Sequence, residues 1–322
     1  MIHTKILGTG SYVPEKIVSN QDLEKLVDTN DEWIQSRTGI VNRHMTVDEN
    51  TSELAYKASI KAMESANVKP QEIDLIIVAT VTSDYVFPAV AQILQRRLNC
   101  DMITAFDINA ACTGFVYALN VADKMIRSGA FNKALIIGAE TLTKYTDFED
   151  RNTCVLFADA AGAMVVGVAD EPHIEKVLTY SKGDLEGYLN MEGYPLKSNF
   201  ITPNTKRPFI KMQGTEVFKF ATSVLPQVVQ TLLDETGHKA EDLSLIVAHQ
   251  ANLRIINKAA RVLKIPMDKM FVNIDQYGNT SAASVPLAID EAIRTNRLQR
   301  GDLFVTAAFG AGLTWGGAMI KY

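Results

Sequence analysis

Residues 72–79, "EIDLIIVA", and residues 241–248, "EDLSLIVA", share Glu, Ile, Val and Ala at an offset of 169. Both are short, apolar almost throughout and rich in β-branched residues, the pattern of a strand buried on both faces of a parallel or mixed sheet. At the same offset "KALIIGAE" (133–140) and "DLFVTAAF" (302–309) share a hydrophobic pattern, and "FDIN" (106–109) alternates like "VNID" (272–275) at an offset of 166. One such match is weak, but three in chain order point to one α/β unit used twice. The strands are expected at "LIIVAT" (75–80), "ITAFDIN" (103–109), "ALIIGA" (134–139) and "LIVAH" (245–249), alternating with amphipathic segments such as the surface helix "ELAYKASIKAMESAN" (53–67). The expected class is α/β, in two halves covering residues 1–172 and 173–322. The junction falls between about 169 and 211, where "GDLEGYLNMEGYPLKSNFITPNTKRP" lacks periodicity and reads as a loop or lid.

Bulk properties narrow the function. The 322 residues are 47% hydrophobic and 21% charged with a net charge of −5, which fits a globular protein and disfavours wholesale nucleic-acid binding. The apolar runs are too short to span a bilayer, and the start "MIHTKILGTG" lacks the charged and apolar regions of a secretory signal. Three widely spaced cysteines, Cys100, Cys112 and Cys154, suggest no disulfide framework and fit a reducing cytoplasm. The five histidines have no metal-ligand spacing, and neither CxxC nor HExxH occurs, so no metal is expected.

Four segments are able to carry chemistry. In "INAACTGF" (108–115) Cys112 follows a strand and opens a helix, where free N–H groups and the dipole favour a thiolate and lower its pKa. The competing reading is a small buried hydrophobe. In "LIVAHQANLRII" His249 ends the strand that matches residues 75–79, so a duplication would bring the strand ends of both halves together; the alternative is a hydrogen-bonded structural histidine. In "YGNTSAAS" (277–284) Asn279 either caps a helix or donates its amide to an oxyanion. In "AAFGAGLTWGG" (307–317) Gly310 and Gly312 allow close backbone approach to a ligand or mark a bulge. Two features concern binding. From Gln250 to Ile265 there is no acidic residue, and Arg254, Lys258 and Arg261 share a helical face, which is either solvated or meets an acidic partner. Trp33 and Arg37, at i and i+4, are ordinary surface and core or together sandwich a flat heterocycle.

Taken together, "GTGSYVPE", "DTNDEWIQSRTGI", "ACTGF", "DRNTCVLFADAAGA", "HQANLRII", "GNTSAASVPLA" and "FGAGLTWGGAMIKY" closely resemble the β-ketoacyl-acyl-carrier-protein synthase III family nearly end to end. The resemblance implies the thiolase fold, two α/β halves in five αβαβα layers, and a homodimer. It implies that Cys112 takes an acyl group from coenzyme A. His249 and Asn279 then hold the thioester carbonyl of malonyl-acyl-carrier protein during decarboxylation, and the backbone N–H groups of Cys112 and Ala311 receive the oxyanion. Thr29, Trp33, Arg37, Arg151, Gly214 and Asn252 fall where the family binds coenzyme A. Phe87 falls where a partner subunit closes the acyl pocket, and a phenyl group there suggests short primers. Gln250, Arg254, Lys258 and Arg261 are the implied docking surface for the carrier protein. No cofactor is implied, because the coenzyme A thioesters are substrates. Three positions depart from the family, with Ala158, Ala161 and Ala311 where glycine is usual. Rival readings are an acyltransferase of a specialised pathway and a non-catalytic acyl-CoA-binding homologue. Thiolases proper and the elongating synthases fall behind, because they use a second histidine where Asn279 stands.

Overall fold

Strands form where the apolar runs require them. A computed structural model describes residues 1–193 and 208–322. The first 172 residues contain β1 (His3–Tyr12), β2 (Ile17–Ser19), β3 (Asn42–His44), β4 (Leu75–Ala79), β5 (Thr104–Ile108), β6 (Lys133–Thr141) and β7 (Asp159–Ala169). The remainder contains β8 (Ile174–Ser181), β9 (Leu189–Met191), β10 (Ile210–Met212), β11 (Leu245–Ala248), β12 (Leu303–Gly310) and β13 (Thr314–Lys321). Five strands make one sheet in the order β1-β7-β6-β4-β5, and four make a second, β11-β12-β13-β8. In each, a wholly buried strand pairs in parallel with a later one, β4 with β6 and β11 with β12, and that strand then pairs antiparallel with the next. Leu75 faces Ala134 and Leu245 faces Phe304, the same chain separation in both halves.

The helices complete five layers. Helices Gly114–Arg127 and Ser284–Arg294 lie between the sheets, where Phe115, Leu119, Ile126, Val285 and Ile289 share one core with Ile77, Val247 and Phe304. Burying each large side chain of this kind contributes about 1.5–3 kcal/mol, which makes the middle layer the main adhesive between the halves. Helices Thr51–Ala66 and Val90–Arg97 cover the outer face of the first sheet, and Gly214–Thr236 and Leu253–Leu263 that of the second.

Two expectations about the chain need correction. Residues 272–275 are not a strand matching 106–109: the counterpart of β5 is reduced to one bridge, Ile246 with Met270, and Ile274–Tyr277 is a helical turn. The buried Gln250 side chain replaces the missing ladder, with Nε2 donating to the carbonyls of Ala248 and Phe271 and Oε1 accepting from Asn273 N. Within the segment read as a loop or lid, Leu189–Met191 is a strand paired with Ile210–Met212; residues 194–207 of it lie outside the described residues. The unusual alanines are accommodated. Ala161 lies in the outer core of the first sheet, and Ala158 sits against Gly278 while its N–H donates to Asn279 O. Ala311 does not take a positive φ; the following Gly312 does, at 127°.

Candidate active site

The site forms where the middle-layer helices begin. Cys112 is the second residue of a 3₁₀ turn, Ala111–Thr113, that leads into helix Gly114–Arg127. Ala111 is held at φ 46°, a conformation costing a non-glycine residue about 1–2 kcal/mol, and its N–H is taken by the Asn109 side chain. The turn presses against β12 from the other half. A Cβ added at Gly310 would lie 2.8 Å from the backbone N of Cys112, so glycine is required there.

His249 follows β11, anchored by its N–H on Ala307 O. It is buried, packs edge-on against Phe309 at 5.2 Å, and its Nδ1 is 2.5 Å from Ser284 Oγ. Burial drives its pKa down to about 3, so the ring is neutral. Asn279 is fixed by its N–H on Leu156 O and by its Oδ1, which accepts from Ser281 N at 2.9 Å. Asn279 is not the cap of helix Ser284–Arg294; its carbonyl oxygen holds the first N–H of the turn that precedes it, which leaves the NH₂ to donate. The Cys112 thiol departs from expectation. It is buried, and desolvation pushes it up to about 11 instead of down, outweighing its position at a helix start. A Ser281 hydroxyl near the sulfur opposes this, and the nearby Glu140 reinforces it.

Two cavities meet at Cys112. One, of about 450 Å³, is lined by Trp33, Arg37, Gly214, Asn252, Cys112, His249 and Asn279 among others. The second, of about 310 Å³, is lined by Cys112, Ser281, Ala311 and apolar Val81, Leu142, Phe157, Leu189, Met191 and Ile210. A larger cavity of about 580 Å³ beside Tyr12, Glu49 and Lys57 is lined by none of Cys112, His249 and Asn279.

At the mouth, Asn30 caps helix Asp31–Thr38 by accepting from Trp33 N, and Asn252 caps Leu253–Leu263 while its Nδ2 donates to Arg37 O. These caps hold the two helices at one rim. The cation over the Trp33 ring is Arg151, 4.9 Å from its centroid, in place of the expected Arg37; Arg151 also donates to Asp28 O. Thr29 does not line the cavity, and its buried hydroxyl has no hydrogen-bond partner among the described residues. Arg254, Lys258 and Arg261 are exposed, and Arg254 lies over Phe218, a residue of the cavity wall. Gln250 is 1% exposed and spends its amide on backbone groups, so it is no part of a docking surface. Phe87 is 84% exposed and lines neither cavity of its own chain. The sequence reading missed Ser284, which holds His249, and Ser281 and Glu140 beside the thiol. Both serines stand in the quoted "YGNTSAAS"; Glu140 ends a strand run and carried no signal.

Among the described residues no cluster of His, Cys, Asp and Glu is arranged to hold a metal, and no helix is long and apolar enough to cross a membrane.

Two family models match, the 3-oxoacyl-[acyl-carrier-protein] synthase III model over residues 106–183 and its C-terminal counterpart over 233–322. A β-ketoacyl-[acyl-carrier-protein] synthase III of Clostridium acetobutylicum is 47% identical, covering 100% of this chain and 99% of that protein. The crystal structure of the Aquifex aeolicus 3-oxoacyl-[acyl-carrier-protein] synthase III superposes with a TM-score of 0.92 at 45% identity, covering 99% and 100% of the two chains. The priming β-ketosynthase of the R1128 polyketide pathway gives the same TM-score at 36% identity, over 99% of this chain and 96% of that one. Fold and likeness together define an acyl-transferring condensing enzyme of the thiolase fold. Within that class, the chain belongs to the β-ketoacyl-[acyl-carrier-protein] synthase III family.

Proposed function

We propose that Cys112, His249 and Asn279 carry out the family's reaction in this chain, the decarboxylative condensation of a short acyl-CoA primer with malonyl-acyl-carrier protein that initiates fatty-acid synthesis. The observation that carries the assignment is their convergence on one cavity, a buried thiol beside two neutral donors. Cys112 attacks the acyl-CoA carbonyl, coenzyme A leaves as its thiolate, and the acyl group stays on sulfur with its chain in the apolar 310 Å³ cavity. The N–H groups of Cys112 and Ala311, both on that cavity's wall, receive the oxyanion.

Malonyl-acyl-carrier protein then enters. Loss of CO₂ leaves an enolate, which needs donors that are already oriented. Ser284 Oγ lies against His249 Nδ1 and also accepts from Gln250 N; with the serine donating to Nδ1, the ring proton sits on Nε2, facing the substrate. Asn279 offers its NH₂. Each such donor is worth about 10²–10³ in rate. Imidazole held far below its ordinary pKa stays neutral and donates without giving up its proton. The enolate attacks acyl-Cys112 and expels the sulfur, giving β-ketoacyl-acyl-carrier protein.

Coenzyme A is proposed to lie along Trp33, Arg37, Arg151, Gly214 and Asn252, with Thr29 at the rim and the adenine against the Trp33–Arg151 pair. The acidic carrier protein is proposed to dock on Arg254, Lys258 and Arg261. The halves 1–172 and 173–322 are proposed as the duplicated units. A reducing, cytoplasmic setting is supported by three free cysteines, and a homodimer by β5 at the edge of its sheet and by exposed Tyr85, Val86 and Phe87, which lead into a helix whose first N–H groups bond Asp107 of β5. In a dimer Phe87 is proposed to reach the partner's acyl pocket. A primer of a specialised pathway is the second reading, favoured by the likeness to the priming ketosynthase. The test is product formation from a panel of acyl-CoA donors with malonyl-acyl-carrier protein, wild type beside His249→Ala and Asn279→Ala. The reading requires β-ketoacyl product and CO₂ from the wild type, with both variants failing at condensation while still forming the acyl-enzyme. Variants that condense at the wild-type rate would overturn it.

A further inference from the structure

Glu140, the penultimate residue of β6, is fully buried near the nucleophile, and among the described residues no cation is hydrogen-bonded to it. Its carboxyl is held by Thr82 Oγ1 at 2.6 Å, by Thr80 Oγ1 at 3.3 Å, by Val81 N at 3.2 Å and by Ser281 Oγ at 3.3 Å. No lysine, arginine, histidine or second carboxylate is among these partners, and the charge of Glu140 is felt by the Cys112 thiol. Ser281 stands between them. Its hydroxyl donates to Glu140 Oε1, and it shares with Cys112 the wall of the apolar cavity. The backbone holds Ser281 there at φ 48°, a conformation maintained against its own strain.

This arrangement answers a difficulty left by the site. The thiol is pushed up to about 11, and His249, pushed down to about 3, is too weak a base to take its proton. Glu140 is raised by burial to about 7, and its charge in turn raises the thiol. Two negative charges buried together are unfavourable, so carboxylate and thiol behave as a pair sharing one proton.

We propose that Glu140 is the positioning residue that takes the thiol proton of Cys112 through the Ser281 hydroxyl, holds it while Cys112 is acylated, and returns it when condensation expels the sulfur. This rests on Cys112 being the nucleophile. In acylation the Sγ–acyl carbon bond forms and the bond from that carbon to the coenzyme A sulfur breaks. Coenzyme A leaves with the electron pair and takes its proton from water. The thiol proton moves to Ser281 Oγ as the serine proton moves to Glu140. In condensation the malonyl C–CO₂ bond breaks, the new C–C bond forms, the acyl–Sγ bond breaks with its electrons on sulfur, and the proton runs back.

The test is the rate of Cys112 acylation by acetyl-CoA, read by rapid-quench intact mass between about pH 6 and about pH 9, for wild type, Glu140→Gln and Ser281→Ala. The wild-type rate rises through one ionisation near 7 and levels off, because only ionised Glu140 accepts the proton. Both variants are slower by about 10²-fold and lose that inflection, their rates climbing instead with thiol ionisation. A merely structural Glu140 predicts slow or unstable variants with the inflection intact, and that result overturns the inference. Should Glu140→Gln fail to fold, Ser281→Ala decides alone, since it leaves the carboxylate in place. Absence of any adduct in the wild type overturns the nucleophile assignment itself and the relay with it; an adduct with an unchanged profile in the variants overturns the relay alone.

Discussion

The turns Ala111–Thr113 and Ser281–Ala283 are one piece of backbone used twice. Each opens on a non-glycine residue with positive φ, 46° at Ala111 and 48° at Ser281. Each has its first N–H taken by an asparagine two residues earlier, Asn109 at 3.3 Å and Asn279 at 2.9 Å. Each leads into a middle-layer helix and abuts a glycine of the opposite half, Gly310 against Cys112 and Gly138 against Ala282. The side chains then diverge. The first turn carries Cys112 where the second carries Ala282. Thr80 follows β4 where His249 follows β11, and two residues beyond their register partners stand Glu140 and Phe309. Duplication supplied two equivalent strained turns at the sheet ends. On the proposed roles, one half has kept a thiol with a carboxylate behind it, and the other two neutral donors with an aromatic wall.

That contrast can be broken by matched substitutions. His249→Ala is expected to slow condensation by about 10²–10³ with acylation retained, whereas Thr80→Val at the matching strand end costs less than about tenfold; separate assays of adduct and CO₂ distinguish them. A methyl group at Gly310 meets the Cys112 backbone, so Gly310→Ala is expected to slow acylation by about 10². Gly138→Ala brings a methyl to 2.1 Å from the Ala282 carbonyl and is expected instead to lose about 3 kcal/mol in denaturant unfolding. Asn109→Ala and Asn279→Ala each remove a turn cap and should each cost about 1 kcal/mol, but only the second should lose condensation. Equal losses of activity would show that the halves are not divided in this way.

The smallest effect is on stability against pH. Unfolded His249 takes a proton below its ordinary 6.5, while the folded ring refuses one until about 3, so stability falls as pH drops through that window. Glu140 acts in the opposite sense. Its contribution is complete below the ordinary 4.5 and is lost as pH rises through about 7. Thermal melts of His249→Gln should flatten the acid limb, and those of Glu140→Gln the limb above pH 4.5.

The duplication was legible because strands buried on both faces leave uninterrupted apolar runs, which survive divergence between the halves. Its one wrong match, 272–275, came from an alternation that a strand and a polar turn share, and only the fold reveals that the Gln250 side chain does the pairing there. Cys112, His249 and Asn279 were visible because each stands at the end of a strand or the start of a turn. The thiol's pKa was not, since a helix start is a local feature and desolvation by the opposite half is a distant one. For the same reason Arg151 on Trp33 was invisible as a pair, being far away in sequence. Glu140 looked like the polar end of a strand until Ser281 arrived beside it from the other half.

The central claim is that Cys112 carries the acyl group, and intact-protein mass spectrometry tests it most directly. Wild type and Cys112→Ser are each mixed with acetyl-, butyryl- and isobutyryl-CoA. The account predicts a gain of one acyl mass in the wild type, absent from the serine variant, with the preferred donor naming the primer class. An adduct that persists in Cys112→Ser, or none from folded wild type with any donor, would contradict it.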